Sequence, residues 1–491
     1  MQILVTGGSG LIGTSAIRAL VERGHSIRLL ARHADRDAGR WPQGVEPRRG
    51  DVTDPGSLLG AADGCDAILH IAGIVAESGP RTFEKVNVGG TRAMLDEAAR
   101  ANVRRFVYVS SLGSDTGTSG YQRSKRKAEQ LVAAWDGRWT ICRPGNVYGP
   151  GDEVVSMLLK LVRSLPVVPV IGGGDQPFQP IWADDLGKAL AAVLERDDLA
   201  GRTLHLAGAE TTTTNDTIEA LRALSGRTPQ RVSIPSIVAE AGLRVAESLG
   251  VATPVNYDQL VMLREHNVIP PGKPNDLVEE LGIQPVPYRD GLRLLVERLP
   301  EQIPEGGRLW QRRYWADLAT RQSAADVFAL VRTELGALLP KSIVRVERAA
   351  DGNSTLAVGR TLTMTLPLRG QIQVRVEELT GTSATCVTVS GHPLTGAIRF
   401  SAAPRGDRVR FLVETWDRPS SLADRAAALA GGTQLKHMTW FQLVQNVIAR
   451  AGAGDEEVQA EEEHLSEEAT RAVAERIRAM VSELRRADAQ A

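Results

Sequence analysis

Gln2-Ile3-Leu4-Val5-Thr6-Gly7-Gly8-Ser9-Gly10-Leu11-Ile12-Gly13 begins with a short apolar run and passes through a glycine-rich turn. From Leu11 to Arg23 apolar residues then recur at helical spacing and stop at Gly24. Strand, glycine turn and helix in that order are one β-α unit. Gly7, Gly10 and Gly13 stand in a G-x-x-G-x-x-G arrangement whose members have separate uses. One lets the chain turn tightly, one lets a pyrophosphate approach the backbone, and one lets the helix pack closely. The helix N-terminus adds N–H donors and positive potential, and Leu11 and Ile12 lie in its first turn.

Outward from this unit the pattern repeats. A second strand is expected over residues 26–30, further strands over 67–71, 106–110 and 140–143, and helices over 91–100 and 121–135. Short apolar strands alternating with helices predict a parallel sheet covered on both faces, an α/β fold of the doubly wound kind. Ligands in such sheets lie at the carboxyl ends of the strands. Those ends carry Ala31-Arg32-His33, Gly50-Asp51-Val52, His70-Ile71-Ala72-Gly73 and Ser110-Ser111. A ribose 2′-hydroxyl is usually met by a carboxylate about twenty residues past the glycine turn, and a 2′-phosphate by arginine. Arg32, with Arg36 nearby, therefore predicts a preference for NADP(H), with NAD(H) as the alternative. Tyr121-Gln122-Arg123-Ser124-Lys125 puts a phenol and an ammonium one helical turn apart, so that the cation is expected to lower the phenol pKa. Arg143-Pro144-Gly145-Asn146-Val147-Tyr148-Gly149-Pro150-Gly151-Asp152 follows the next strand.

Taken together, these motifs over residues 1–300 resemble the extended short-chain dehydrogenase/reductases, the NAD-dependent epimerase/dehydratase family. The resemblance implies a Rossmann-type sheet with Tyr121 as general acid/base. Lys125 would hold the nicotinamide ribose and Ser111 would polarise the substrate oxygen. It further implies that Gly7, Gly10, Leu11, Ile12, Gly13, Asp51, Ala72, Asn87, Ser110 and Pro144 line the cofactor, and Val52, Gly73 and Val147 beside them are expected to bind it as well. Gly172-Gly173-Gly174 and Ile181-Trp182-Ala183-Asp184-Asp185-Leu186 also follow the extended pattern. Tyr121 to Lys125, Tyr257-Asp258-Gln259 and Glu265-His266-Asn267-Val268 look like an atypical branch that includes the NADPH-binding accessory subunit of respiratory complex I. Two readings stay open: an NAD(P)-dependent oxidoreductase or epimerase, and a non-catalytic NADPH-binding accessory protein. The resemblance leaves oligomeric state open, with a homodimer formed through two helices of the first domain as an arrangement that such enzymes often use.

The rhythm changes near residue 300, where Leu299 to Gly307 is rich in proline, glycine and charge and reads as a linker. Beyond it a helix is expected from Ser323, with Asp326 in its first turn, and another over 434–450. Strands are expected over 342–347, 361–366, 371–378, 384–390, 397–402 and 409–414. This is an α+β domain over 301–452, and Trp310, Tyr314 and Trp315 suit either its core or an interface. Gly391-His392-Pro393-Leu394-Thr395-Gly396 with Phe400, and Trp416-Asp417-Arg418-Pro419, resemble START-like (SRPBCC) helix-grip domains, which implies an apolar cavity and a hydrophobic small-molecule ligand. His392 reads as a turn residue. In 453–491, Gly454 to His464 reads as an acidic, solvated linker. After it Val473, Ile477, Val481 and Leu484 share one face of a tail helix, expected to dock on the body of the protein.

Composition bounds the rest. The chain has 491 residues, too many for one ordinary domain. Its 58 basic and 59 acidic side chains balance to a net charge of -1, which argues against nucleic acid or an anionic membrane as partner. No run approaches the length of a membrane span. The start at Met1 leaves no room for a signal peptide, and Cys65, Cys142 and Cys386 suit a reducing compartment, so a cytoplasmic address is expected. Asp184 and Asp185 lack further ligands at metal spacing, so no metal site is expected.

Overall fold

The computed structural model describes residues 1–32, 34, 41, 43–152, 154–164, 167–225, 229–235, 237, 267–297, 299–304, 307–346, 355–366, 370–420, 424–425, 428, 432–454 and 456–488. Two compact units emerge. The first comprises Met1–Leu158, Val167–Leu221 and Gln230–Leu295; the second comprises Leu159–Pro166, Arg222–Pro229 and Val296–Ala491.

The first unit is built on strands β1 (Gln2–Thr6), β2 (Ser26–Ala31), β3 (Val45–Arg49), β4 (Ala67–His70), β5 (Arg105–Val109), β6 (Arg138–Pro144) and β7 (Arg202–Leu206). Their order across the sheet is β3-β2-β1-β4-β5-β6-β7, and every pairing is parallel. Alternate residues of each central strand enter opposite layers. Ile3, Val5, Leu29, Leu69 and Val107 pack against helix α1 (Leu11–Glu22) and the helix Ala183–Glu195. Leu4, Leu30, Ile68 and Phe106 pack against helices α2 (Gly90–Arg100) and α3 (Gly120–Ala133). Because both faces are covered, the strands read as unbroken apolar runs. Each fully buried Leu or Ile contributes ~1.5–3 kcal/mol. The chain reverses its winding between β1 and β4, and this is where the sheet opens a crevice at the carboxyl ends of its strands.

The second unit holds an eight-stranded antiparallel sheet. Its strands run in the order Arg345–Val346, Thr361–Leu366, Gly370–Leu379, Ser383–Thr388, Leu394–Arg405, Arg408–Pro419, Trp310–Leu318 and Gln459–His464. Ala324–Leu338 and Thr433–Arg450 cover one face. Ser323 caps the first of these helices: its hydroxyl accepts from Asp326 N at 3.2 Å, and the Asp326 carboxylate accepts from Ser323 N at 3.0 Å. Glu467–Asp488 packs on the opposite face through Ile477 and Val481, against Leu309, Val387, Ala397 and Trp416. The side chain of Leu484 lies outside the described residues.

Three segments differ from expectation, and in the first, 342–347, only Arg345–Val346 is strand among the described residues. Trp310–Leu318 is a strand between two others, with Tyr314, Ala316 and Leu318 in the core, whereas Trp310 and Trp315 are half-buried. Gln459–His464 is an edge strand paired with Trp310–Trp315 rather than a solvated linker. Its acidic side chains meet cations across the pair: Glu462 with Arg312 at 2.9 Å and Glu461 with Arg313 at 3.5 Å. Charge on an edge strand also deters further strand addition. His392 is buried in a turn, its Nδ1 accepting from Leu394 N at 3.0 Å.

Candidate functional site

The three glycines of the turn have three different surroundings. Gly7 has φ +74°, and a side chain there would meet Ala72 N at 2.7 Å, so the turn lies directly against the end of β4. Gly13 is closed as well, since a Cβ would fall 2.3 Å from Gly7 O and 2.4 Å from Gly8 Cα. Helix α1 can start this close to the turn only without a side chain at that position. At Gly10 the nearest atom to a Cβ would be Gly7 O at 3.5 Å, and nothing else lies within 4 Å. The space beside the exposed Gly10 Cα is thus open at the N-terminus of α1, the position suited to an anion. Leu11 and Ile12 are half-buried in the first turn of α1, and Thr14 Oγ1 secures the loop by donating to Gly10 O at 2.9 Å.

Ser110 and Ser111 follow β5 at the same edge of the sheet. The Ser110 hydroxyl is buried and makes no hydrogen bond among the described residues. Ser111 Oγ donates to Leu112 O at 3.1 Å, and its hydroxyl is near enough to the Tyr121 phenol to lower the phenol pKa. Tyr121 and Lys125 occupy consecutive turns of α3, whose start is fixed by a capping box between Ser119 and Gln122. Lys125 Nζ donates to Val109 O at 2.9 Å and lies 5.1 Å from the Tyr108 ring centroid. Gly73 leaves the space above this ammonium open, since a Cβ there would be 3.2 Å from Lys125 Nζ.

The electrostatics correct one expectation. Burial pushes the Tyr121 phenol up to about 12, and only Ser111 pulls the other way. Lys125 is pushed down to about 8 by burial, partly offset by Glu129. In this arrangement desolvation outweighs the cation–phenol attraction that the spacing predicted.

Behind these groups stands a shell that the sequence reading named only in part. Thr6 Oγ1 and His70 Nδ1 are 2.7 Å apart, and His70 Nε2 lies 3.1 Å from Thr91 Oγ1. Thr91 in turn donates to Asn87 O at 2.7 Å. Burial, reinforced by the Lys125 charge, holds His70 down to about 3, so the ring is neutral. Asn87 clamps Ile74 with both ends of its amide, accepting from Ile74 N at 2.8 Å and donating to Ile74 O at 3.0 Å. It also donates to Ser124 Oγ at 2.9 Å. Its side chain is therefore spent on holding the strand end against α3, which makes it a positioning group. Arg143 bridges Glu129 and Asp115, at 2.7 Å each, and Ser114 donates to Glu129 at 2.7 Å. The acceptor oxygens of Asn146 and Asn267 are buried and make no hydrogen bond among the described residues. Neither Glu129 nor Asn267 follows from local spacing; each becomes visible only when distant segments meet.

The remaining expected residues are placed as follows. Arg32 is exposed just past the end of β2. His33 and Arg36 lie outside the described residues, as do residues 257–259, Glu265 and His266. Asp51 turns inward on its own loop, accepting from Thr53 N at 2.9 Å, and Val52 packs into the core under Gly90. Ala72 faces Gly7 as above, Pro144 ends β6 with its carbonyl accepting from Leu112 N at 2.8 Å, and Val147 pairs with Ile181. Asp152 caps the following helix through Val155 N at 2.6 Å. Asp184 takes Ser15 at 3.0 Å together with Arg18, and Asp185 takes Val286 N at 2.7 Å, so both aspartates are committed to structure.

Residues 3–207 match the NAD dependent epimerase/dehydratase family, so the N-terminal part of the chain carries a domain of that type. Ceramide reductase of Caulobacter vibrioides is 36% identical over 34% of this chain and 53% of its own length. The mitochondrial NADH dehydrogenase (ubiquinone) 1 alpha subcomplex subunit 9 of Arabidopsis thaliana is 26% identical over 48% of this chain and 61% of its own length. The chain thus spans about half the length of the first curated relatives it matches, 53% in the reductase. An NADPH-dependent quinone oxidoreductase of Escherichia coli shares the fold, with a TM-score of 0.51 at 20% identity, over 60% of this chain and 99% of that one. Among the described residues no helix is long and apolar enough to cross a membrane.

Proposed function

We propose that the protein is an NAD(P)-dependent oxidoreductase or epimerase of the short-chain dehydrogenase type, with NADP(H) preferred and NAD(H) accepted more weakly. The observation that carries this reading is the meeting of two features at one edge of the sheet. A glycine turn with open space beside Gly10 and a Ser111–Tyr121 pair with the Lys125 ammonium on the next turn of α3 both lie at the carboxyl ends of the central strands. Gly7, Gly10, Gly13 and the first turn of α1 would hold the pyrophosphate, and Arg32 the 2′-phosphate. Asp51, Ala72, Gly73, Ser110, Pro144 and Val147 would border the rest of the dinucleotide, with Lys125 on the nicotinamide ribose. The free Ser110 hydroxyl fits a polar ligand at this point.

A nicotinamide dinucleotide bound there supplies or accepts hydride. Ser111 orients the reacting oxygen of the substrate by hydrogen bonding, and Tyr121 gives or takes the proton at its phenol oxygen. The Glu129–Arg143 network holds α3 against the loop after β5, which keeps Tyr121 and Ser111 in register.

The second unit supports a START-like reading of residues 301–452, in which the helix Thr433–Arg450 crosses one face of the antiparallel sheet. The segment 453–491 closes that unit. An apolar small-molecule substrate fits a ceramide reductase among the relatives. The protein would act in the cytoplasm. A second reading, a structural NADPH binder, is favoured by the high phenol pKa and by the commitment of Lys125 to Val109 O. Mass spectrometry of small molecules released on denaturation, followed by NADPH and NADH titration of the emptied protein, tests the assignment. NADP(H) recovered and rebound supports it, whereas failure to bind either dinucleotide overturns it. Slow exchange without turnover of any carbonyl substrate would select the structural reading.

A further inference from the structure

Asn267 is linked to the Ser111–Tyr121 pair by only two hydrogen bonds. Its Nδ2 donates to Leu112 O at 3.4 Å, and the same carbonyl accepts Ser111 Oγ at 3.1 Å. Its backbone is fixed on both sides, donating to Pro177 O at 3.2 Å and accepting from Gln179 N at 2.8 Å. The amide orientation is settled by this geometry, because the end facing the Leu112 carbonyl must be the donor. The other end, Oδ1, is buried and has no partner among the described residues. A buried acceptor left unsatisfied costs roughly 1–3 kcal/mol, so its retention beside a reacting centre calls for a ligand donor.

We infer that Asn267 is a specificity-determining residue that accepts a hydrogen bond from a donor on the substrate, a hydroxyl or amide N–H next to the reacting carbonyl. This rests on the dinucleotide-dependent reading of the site proposed above. Ser111 and Tyr121 hold the reacting oxygen, and Asn267 Oδ1 offers only an acceptor to the neighbouring substituent. The pocket therefore favours α-substituted ketones that carry a donor and disfavours those that present a second acceptor or bare carbon. The Leu112 carbonyl couples the two functions, since it fixes the Asn267 amide whether Ser111 is bonded to it or turned to the substrate.

The test uses the full chain loaded with NADPH and two probes that differ by one hydroxyl, 2-hydroxyacetophenone and acetophenone. Dissociation constants are read from the change in bound-NADPH fluorescence, which does not require turnover. The hydroxyketone is expected to bind about tenfold more tightly in the wild type, the effect of one hydrogen bond to an otherwise unsatisfied acceptor. In Asn267→Leu the ratio should fall to near one while acetophenone binding is retained. A role confined to structure would weaken both probes equally and leave the ratio unchanged. A ratio near one in the wild type, the same ratio in the variant, or no binding of either ketone to NADPH-loaded protein overturns the inference. If NADPH itself does not bind, the dinucleotide reading falls, and this inference with it.

Discussion

Thr6 Oγ1 and His70 Nδ1 lie 2.7 Å apart across the carboxyl ends of β1 and β4, the two strands between which the sheet reverses its winding. The pair ties the glycine turn to the neighbouring strand, since Thr6 Oγ1 also accepts from Ala72 N at 3.2 Å. His70 titrates at about 3 in the fold instead of 6.5, with burial as the main cause. Between those values the unfolded chain binds a proton that the folded chain does not, so stability is complete above pH 6.5 and declines as pH falls towards 3. The slope from this one group approaches ~1.4 kcal/mol per pH unit. Denaturant unfolding of the wild type and of His70→Gln, measured from pH 7 to 4.5, should show a shallower acid decline in the variant. Equal slopes would exclude His70 as the titrating group.

The glycine turn separates a packing role from a binding role. Gly13→Ala would force a methyl to within 2.3 Å of Gly7 O and should destabilise the first unit by roughly 1–3 kcal/mol or more. Gly10→Ala adds a methyl into open space and should leave the melting temperature nearly unchanged. It should nevertheless weaken NADPH binding by about tenfold or more, because it screens the N–H groups that face the anion. Thermal unfolding and nucleotide titration of both variants check this; similar melting temperatures for the two would contradict the difference in packing.

Tyr121→Phe should lower turnover by about 10²–10⁴, the usual contribution of a positioned acid or base, with NADPH affinity nearly intact. The phenol, pushed up to about 12, stays protonated through neutral pH in the free protein. Ketone reduction, which needs the acid form, should therefore show a kcat/KM that is flat across pH 6 to 8, whereas alcohol oxidation should rise with pH. An oxidation profile that reaches its plateau below pH 8 would contradict the high phenol pKa.

Arg32 is exposed just past the end of β2, where a side chain can meet the ribose of a bound dinucleotide. Arg32→Asp should weaken NADPH and improve NADH binding, reversing the preference. Unchanged affinities for both would show that the side chain does not touch the ribose.

How much of this was legible in the sequence follows from where the information lies. Strands β1, β4 and β5 are buried on both faces, so Ile3-Leu4-Val5, Ala67-Ile68-Leu69 and Phe106-Val107 announce themselves as continuous apolar runs. The glycines mark a turn by steric need. The strand Trp310–Leu318 was harder, because one of its inward positions is Arg312, a buried cation that disguises the alternation. Gln459–His464 has no alternation at all; it is exposed throughout and is a strand only because Trp310–Trp315 offers it a free edge. The raised Tyr121 pKa was hidden for a related reason. Spacing reveals that Lys125 is one turn away, but not that both groups are buried.

The same buried cation yields the last prediction. Asp417 is 6% exposed and takes both Arg312, at 3.3 Å, and Lys436 of the helix Thr433–Arg450, so one carboxylate compensates two buried cations between sheet and helix. Burial lowers the Lys436 pKa, and Asp417 opposes that shift. Asp417→Ala would leave Arg312, among the described residues, with the exposed Glu462, at 2.9 Å, and Lys436 without its carboxylate. The expected loss is about 3–5 kcal/mol, typical of removing one partner from a buried ion pair. If the two units unfold separately, calorimetry should show the transition of the second unit shifted down, with that of the first unchanged. The double variant Asp417→Asn with Lys436→Met, which removes one charge of each sign, should recover most of that loss. A single variant as stable as the wild type would mean that water reaches this cluster.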